Sequence, residues 1–351
     1  MRSLRLLTAI MALALVGPVA QAQAIAAPAT RVQAATCGVE GFPKETLEIM
    51  APAKPGGGWD TTAREMQTVL QGGIVQQSVE VYNVEGAGGT VGIAQLVNDE
   101  KGNPYQLMMM GLVMVGAIAT NQSQTTLDDV TPIARLTTEY EVIVVPKDSK
   151  FQTLDDLVQA FKADPTSISW GGGSAGGTDH ILTGLLAKAV QVDPTKVNYV
   201  PFSGGGEALA AVLGGQVSAG ISGVGEWLDQ INSGELRALA VSGAATGSAA
   251  TPGAAASPAA GASVAPTLKE QGIDLELANW RGLVAPPDLP EGTQACLVAM
   301  VDAMRTSDAW KGVLAKYGWQ DYFLAGDEFK TFLSDERSRV EPILKDLGLI
   351  S

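Results

Sequence analysis

Short apolar runs, glycine clusters and helical stripes follow one another along this chain in a recurring order. Leu47-Glu48-Ile49-Met50-Ala51 runs into Gly56-Gly57-Gly58, and Val79 to Val84 runs into Gly86-Ala87-Gly88-Gly89. Ile168-Ser169-Trp170 runs into Gly171-Gly172-Gly173, and Val197 to Val200 into Gly204-Gly205-Gly206. A strand that passes through a glycine loop into a helix, repeated, predicts α/β layers with largely parallel sheets. Thr153-Leu154-Asp155-Asp156 reads as a capping box, with Leu154, Leu157, Val158 and Phe161 on one helix face. Leu297, Met300, Val301 and Met304 form a similar stripe after Pro290. Asp60 is placed to cap a helix that turns Ala63, Met66 and Leu70 inward. These stripes are core. Glu141 to Val145 reads as the strand that opens a second block of alternating elements, and the tail from Pro290 reads as mostly helical. Gly243 to Ala265 is almost all Ala, Gly, Ser, Pro and Thr, which bury too little to order themselves, and reads as a flexible loop inside a domain.

The start of the chain has a different logic. Arg2 and Arg5 precede an apolar run from Leu6 to Val16, and Ala20-Gln21-Ala22 and Ala22-Gln23-Ala24 offer small-x-small cleavage sites. That order predicts a signal peptide over 1–24. The run is short for a bilayer span, although a short membrane anchor is the other reading. Residues 25–37 read as a flexible leader. The remainder, about 310 residues, is enough for two domains with proper cores. With 46% hydrophobic and 17% charged residues the composition is globular.

Charge narrows the partners. The formal net charge is −14, which argues against nucleic acid and anionic lipid surfaces. It leaves an anionic small ligand open, because local donors decide that. Cys37 and Cys296 are the only cysteines. In an exported chain they read first as a disulfide, with two free thiols or a lipidated Cys37 as alternatives. Ala34-Ala35-Thr36, before Cys37, lacks the apolar Leu that lipidation prefers. With His180 the single histidine, a structural zinc site is not expected, nor is any cofactor.

The glycine loops carry the candidate chemistry. Ligands of parallel α/β sheets sit beyond the carboxyl ends of the strands, where helix N-termini offer free N–H groups and a favourable dipole to an anion. Glycine lets the backbone approach closely. Four such loops in two blocks point to one carboxylate-holding cleft, against the plainer reading of four tight turns. Three enzyme motifs compete. Gly171, Gly173 and Gly176 fit the dinucleotide pattern G-x-G-x-x-G, a weak match among 41 glycines. Gly172-Gly173-Ser174-Ala175-Gly176 fits the G-x-S-x-G nucleophile elbow, but His180 lies too close after it to be the base of such a triad and reads as a helix-start or packing residue. A P-loop fails because the chain has no Gly-Lys pair.

The segment Pro55-Gly56-Gly57-Gly58-Trp59-Asp60-Thr61-Thr62-Ala63-Arg64 resembles the signature of the tripartite tricarboxylate transporter receptors, the TctC or Bug family. So do Asn83-Val84-Glu85-Gly86-Ala87-Gly88-Gly89-Thr90-Val91-Gly92 and Thr131-Pro132-Ile133-Ala134-Arg135-Leu136. The resemblance continues through Gly173-Ser174-Ala175-Gly176-Gly177-Thr178-Asp179-His180, Tyr199 to Glu207, Pro266 to Gly272 and Asn279-Trp280-Arg281-Gly282. It implies a two-lobed periplasmic-binding-protein (Venus flytrap) fold, each lobe a mainly parallel sheet flanked by helices. The first lobe would be 38–138 and 281–351, the second 139–280. It also implies an extracytoplasmic receptor, not an enzyme, that captures a small organic carboxylate (a di- or tricarboxylate or an aromatic acid) for a membrane permease of one large and one small subunit; the chain is expected to be a monomer. A ligand sensor for a membrane kinase and an exported hydrolase are the alternatives.

Carried over, the resemblance places Gly57, Gly58, Trp59, Asp60 and Thr61 at the ligand with Gly88 and Gly89 beside them. Ser174, Thr178 and Asp179 would face them from the second lobe, with Ser203 and Gly204 next to these. Hydroxyls and amides can donate to a carboxylate. Asp60 could instead be purely a cap. Asp179 would take an amine, a hydroxyl or water, or only cap its helix. Arg281 would pair with a second ligand carboxylate or form an interlobe salt bridge. Trp59 would stack on the ligand or wall the pocket, and Arg64 would pair outside the cleft. The long loop before Pro266 and the two cysteines depart from the family pattern.

Overall fold

The structure, a computed structural model, describes residues 37, 39–243 and 264–351. The expected signal peptide, nearly all of the leader and most of the 243–265 loop lie outside the described residues. The elements alternate as the sequence predicts. β1 (Leu47–Ala51), α1 (Gly58–Val69), β2 (Val79–Asn83), α2 (Thr90–Asp99), β3 (Gln106–Gly111) and α3 (Leu112–Thr120) come first. A long strand, β4 (Thr131–Pro146), then leads to α4 (Leu154–Ala163), β5 (Ser169–Gly172), α5 (Thr178–Ala189) and β6 (Asn198–Pro201). α6 (Gly205–Leu213), β7 (Ala219–Gly223), α7 (Val224–Asn232) and β8 (Leu236–Val241) complete this block. β9 (Ala278–Ala285) returns, followed by α8 (Thr293–Thr306), α9 (Asp308–Tyr317), β10 (Gln320–Ala325) and α10 (Gly326–Asp346).

The strands run in the order β2-β1-β3-β9-β4-β7-β5-β6, with β8 and β10 also on β4. β1 pairs in parallel with β2 and β3, and β5 with β6 and β7. Each lobe therefore has a parallel centre, and every antiparallel pair includes β4 or β9. β4 joins the two halves. From Thr131 to Tyr140 it pairs with β9, and from Glu141 it pairs with β7. The strand thus starts ten residues before the Glu141 expected from the sequence. Its first half escapes a hydrophobic reading because Arg135, Thr137, Thr138 and Glu139 are polar yet buried. The lobe divisions read at 138/139 and 280/281 fall inside continuous strands, β4 and β9, and Ala278 is already paired with Tyr140.

The helical stripes pack as their spacing dictates. Thr153 and Asp156 form the reciprocal capping box, and Leu154, Leu157, Val158 and Phe161 are buried. Leu297, Met300, Val301 and Met304 are buried along α8. α10 spans the lobes. Glu336 accepts a hydrogen bond from Trp280 Nε1 on β9 (2.7 Å). At the far end Leu347 fills the space that a side chain at Gly184 of α5 would need, and Asp346 pairs with Lys188.

Cys37 and Cys296 are joined in a disulfide that ties the start of the described chain to α8. A bridge closing so long a loop restricts the unfolded chain and is worth about 2–4 kcal/mol. Thermal unfolding should therefore show a lower Tm for Cys296→Ser, insensitive to reductant, whereas wild type drops toward it on reduction. Equal Tm values for all three samples would contradict this.

Candidate functional site

The four glycine loops meet. A cavity of about 410 Å³ between the halves is lined by Gly57, Gly58, Gly86 and Gly88 from one side and by Gly173, Gly204 and Gly205 from the other. The lobes touch around it. Lys54 reaches across to Glu207 and lies 3.7 Å from Glu85 on its own side. Gly204 and Gly57 are near neighbours, and a Cβ at Gly88 would lie 3.6 Å from Ser174 Cβ. Gly88 and Gly89 both have left-handed backbone, with φ of 62° and 92°, a conformation that glycine adopts freely. Side chains there would strike Ala117 and Met114, so glycine is doubly required.

Of the residues singled out in the sequence, Gly57, Gly58, Trp59, Gly88, Ser174, Asp179, Ser203, Gly204 and Arg281 line this cavity. Asp60, Thr61, Gly89 and Thr178 stand behind the wall. Asp60 is the third residue of α1, whose N-cap is Gly57. Its carboxylate accepts from Gly56 N, Arg64 Nε and Asn83 Nδ2, each at 2.9 Å. Burial pushes its pKa up, but these hydrogen bonds prevail and hold it below the ordinary value. Arg64 is thereby engaged outside the cleft. The N–H of Thr61 donates to Gly57 O at 2.9 Å. Gly89 supplies the N-cap of α2 and backs onto the Trp59 ring. Thr178 is fully buried and donates to Asn279 Oδ1 at 3.2 Å, orienting an amide that does line the cavity.

The floor is charged. Arg281 on β9 is buried, donates to Glu139 of β4, and lies 3.7 Å from Glu226 of α7. Trp319 Nε1 donates to the other Glu139 oxygen at 3.1 Å, and the guanidinium sits 5.0 Å from the Trp319 ring. Glycine makes room here too. A Cβ at Gly58 would collide with Arg281 Nη2, and one at Gly205 with Glu226 Oε2. Sequence reasoning passed over Glu139, Glu141, Glu226, Asn279 and Lys54. The available signal was Glu139-Tyr140-Glu141, two acids inside a strand pattern.

Burial sets the electrostatics of this floor. It raises Glu139 even against Arg281. It raises Glu141 well above its ordinary value, with the charges of Asp179, Glu139 and Glu226 adding to the effect. Burial also raises Asp179 to about 6, opposed by the Gly173 N–H, and Glu226 to about 8, reinforced by Glu139 and opposed by Arg281. His180 takes the Gly176 N–H on Nδ1 (3.2 Å) and stacks on Tyr199 at 4.0 Å. Burial lowers its pKa to about 4, so it is a neutral packing residue near neutral pH. Among the described residues no group of three or more His, Cys, Asp or Glu side chains is arranged to hold a metal ion, and no helix is long and apolar enough to cross a membrane.

The raised carboxyls carry a consequence for stability. Between the ordinary carboxylate range near pH 4 and about pH 8, the folded protein holds protons that the unfolded chain has released. Their contribution is complete below that window and is lost as pH rises through it. Tm should fall between pH 5 and pH 8 more steeply in wild type than in Glu226→Gln, which cannot titrate at that position. Parallel curves would contradict the assignment.

Residues 62–349 match the family described as tripartite tricarboxylate transporter family receptor, TctC. Protein BugT of Bordetella pertussis is 26% identical over 91% of this chain and 94% of its own length. A UPF0065 protein from the TAR-I ttuE-ttuC' intergenic region of Agrobacterium vitis is 29% identical over 72% of this chain and 68% of its own. Among solved structures, MatC from Rhodopseudomonas palustris with bound malate superposes with a TM-score of 0.70 at 24% identity, covering 86% of this chain and all of that one. A second R. palustris protein, solved with adipate, gives 0.75 at 23% identity, with 88% and 98% covered. Both have the two-lobed binding-protein fold described above. The chain belongs to the TctC family of tripartite tricarboxylate transporter receptors, which bind solutes and are not enzymes.

Proposed function

We propose that this protein is the exported, monomeric receptor of a tripartite tricarboxylate-type transporter. It captures a small organic carboxylate in the interlobe cleft and delivers it to the membrane permease subunits. The observation that carries this reading is the convergence of four glycine loops, two from each lobe, on one cavity. A ligand there touches both halves, so its binding free energy goes into closing them, and the closed surface is what a permease can recognise. The Ser174 and Ser203 hydroxyls and the first N–H groups of α1 and α6, which have no intrahelical partners, are suited to a carboxylate. The malate and adipate held by the two structural neighbours support the ligand class. Export follows from the basic, apolar and small-residue order of residues 1–24.

A thermal-shift screen of organic acids tests the reading. At 100 times its Kd a ligand stabilises the fold by about 2.7 kcal/mol, enough for a clear rise in Tm. Ser174→Ala should weaken the best acid about tenfold, as expected for one lost hydrogen bond to a charged group. A shift with neutral compounds and none with acids would remove the carboxylate assignment. Unchanged affinity in Ser174→Ala would remove that residue from the site.

A further inference from the structure

Alternate side chains of a strand point to opposite faces, and β9 uses both. Trp280 turns away from the cleft and donates to Glu336 of α10. Asn279 and Arg281, two residues apart, line the cavity. Arg281 is spent there, donating to Glu139 and lying 3.7 Å from Glu226. Asn279 keeps something in reserve. Its Oδ1 accepts from the Thr178 hydroxyl at 3.2 Å, and its backbone O accepts from the Thr138 hydroxyl at 3.3 Å. Its Nδ2 has no partner among the described residues and is not enclosed, so it opens on the cavity.

Thr178 decides which way this amide faces. Its side chain is fully buried, and Asn279 Oδ1 is the acceptor its hydroxyl has among the described residues. With the amide turned round, Nδ2 would donate to Thr178 Oγ1, and the hydroxyl hydrogen would be left with no acceptor. A buried donor in that state bears its full desolvation cost. The two N–H bonds of Asn279 therefore face the cavity, and its carbonyl does not. Such a donor edge discriminates between ligands. An oxygen satisfies it, whereas a methyl end leaves the amide unpaired once the closed lobes exclude water. The nearby acids do not reverse this. Glu139 is matched by Arg281, and Glu226 and Glu141, raised by burial, hold protons near neutral pH. Asp179 turns its Oδ2 to the Gly173 N–H.

We infer that Asn279 is a specificity-determining residue of the cleft, whose Nδ2 donates to a second oxygen acceptor on the ligand, apart from the carboxylate held by the glycine loops, and that Thr178 is the positioning residue that fixes the amide for this task. The inference rests on the carboxylate-receptor reading above and adds to it the side chain that reads the rest of the ligand. It also explains why a hydroxyl behind the cavity wall belongs to the recognition apparatus.

Calorimetric titration of the purified mature protein at pH 7 tests the inference with acids that differ at one end only. Succinate, glutarate, adipate and terephthalate are compared with butyrate, valerate, hexanoate and 4-methylbenzoate, respectively. The best dicarboxylate should bind at least tenfold more tightly than its methyl-ended partner. Asn279→Ala should reduce that ratio about tenfold, as expected for one lost hydrogen bond to a charged group, and leave the methyl-ended acid as it was. A merely structural role would weaken both members of a pair alike, so the ratio is the readout. Thr178→Val, which frees the amide to turn, should lower the ratio in the same direction with Asn279 still present. If Asn279→Ala fails to fold, the double variant Thr178→Val/Asn279→Leu, which removes both partners of the buried hydrogen bond together, is measured in its place. A methyl-ended acid that binds wild type as tightly as its dicarboxylate partner, or a ratio unchanged in a folded Asn279 variant, overturns the inference and leaves the receptor reading standing. Failure of every acid to bind counts against the carboxylate reading itself, and the inference falls with it.

Discussion

The guanidinium of Arg281 is buried where the two halves of the molecule join, and much of the structure is arranged to keep it there. A charge taken out of water needs partners with good geometry, and breaking such a pair by removing one member typically costs about 3–5 kcal/mol. Arg281 sits on β9 and Glu139 on β4, the two strands shared at the junction, while Glu226 comes from α7 of the second lobe. Glu139 is held from its other side by Trp319. The surrounding glycines follow from this. Gly58 and Gly223 lie where a Cβ would strike Arg281 and Glu139, respectively. The joint between the lobes and the floor of the cleft are one object.

That identity links fold to function. The strands that carry the chain from one lobe to the other also present Asn279 and Arg281 to the cavity, while the walls come from strand-to-helix loops of both lobes. Motion of one lobe against the other would change the walls, and the place of Glu226, around the part of the floor that β4 and β9 share. α10 adds a second connection on the outside, anchored to β9 through Trp280 and Glu336 and reaching α5 at its far end. A ligand that bridges the walls stabilises the closed arrangement only by the difference between its contacts in the closed and open forms.

The parts that sequence made legible were local. The strand, glycine loop and helix order, the Thr153 capping box and the α8 stripe depend on neighbours a few residues apart, and the structure has them where the pattern puts them. Asp60 read as the helix cap or as a ligand residue and is neither: Gly57 is the N-cap, and Asp60 stands one turn in, where its role depends on Arg64 and on Asn83 arriving from β2. The charged floor was mostly hidden. Glu139, Glu226 and Arg281 are far apart in sequence and pair through β4–β9 register and the placement of α7, which no local pattern encodes. The first half of β4 was hidden for the same reason, since its buried Arg135, Thr138 and Glu139 find their partners on other elements. Arg135, for example, donates to Tyr322 O of β10 at 2.6 Å.

The central claim is that one ligand engages four loops from two lobes at once. Hydrogen–deuterium exchange with and without the tightest-binding acid of the screen measures this directly. The account predicts protection in all four glycine loops together, around residues 54–60, 85–90, 172–178 and 202–207. Protection confined to the loops of a single lobe, or located away from them, would contradict it.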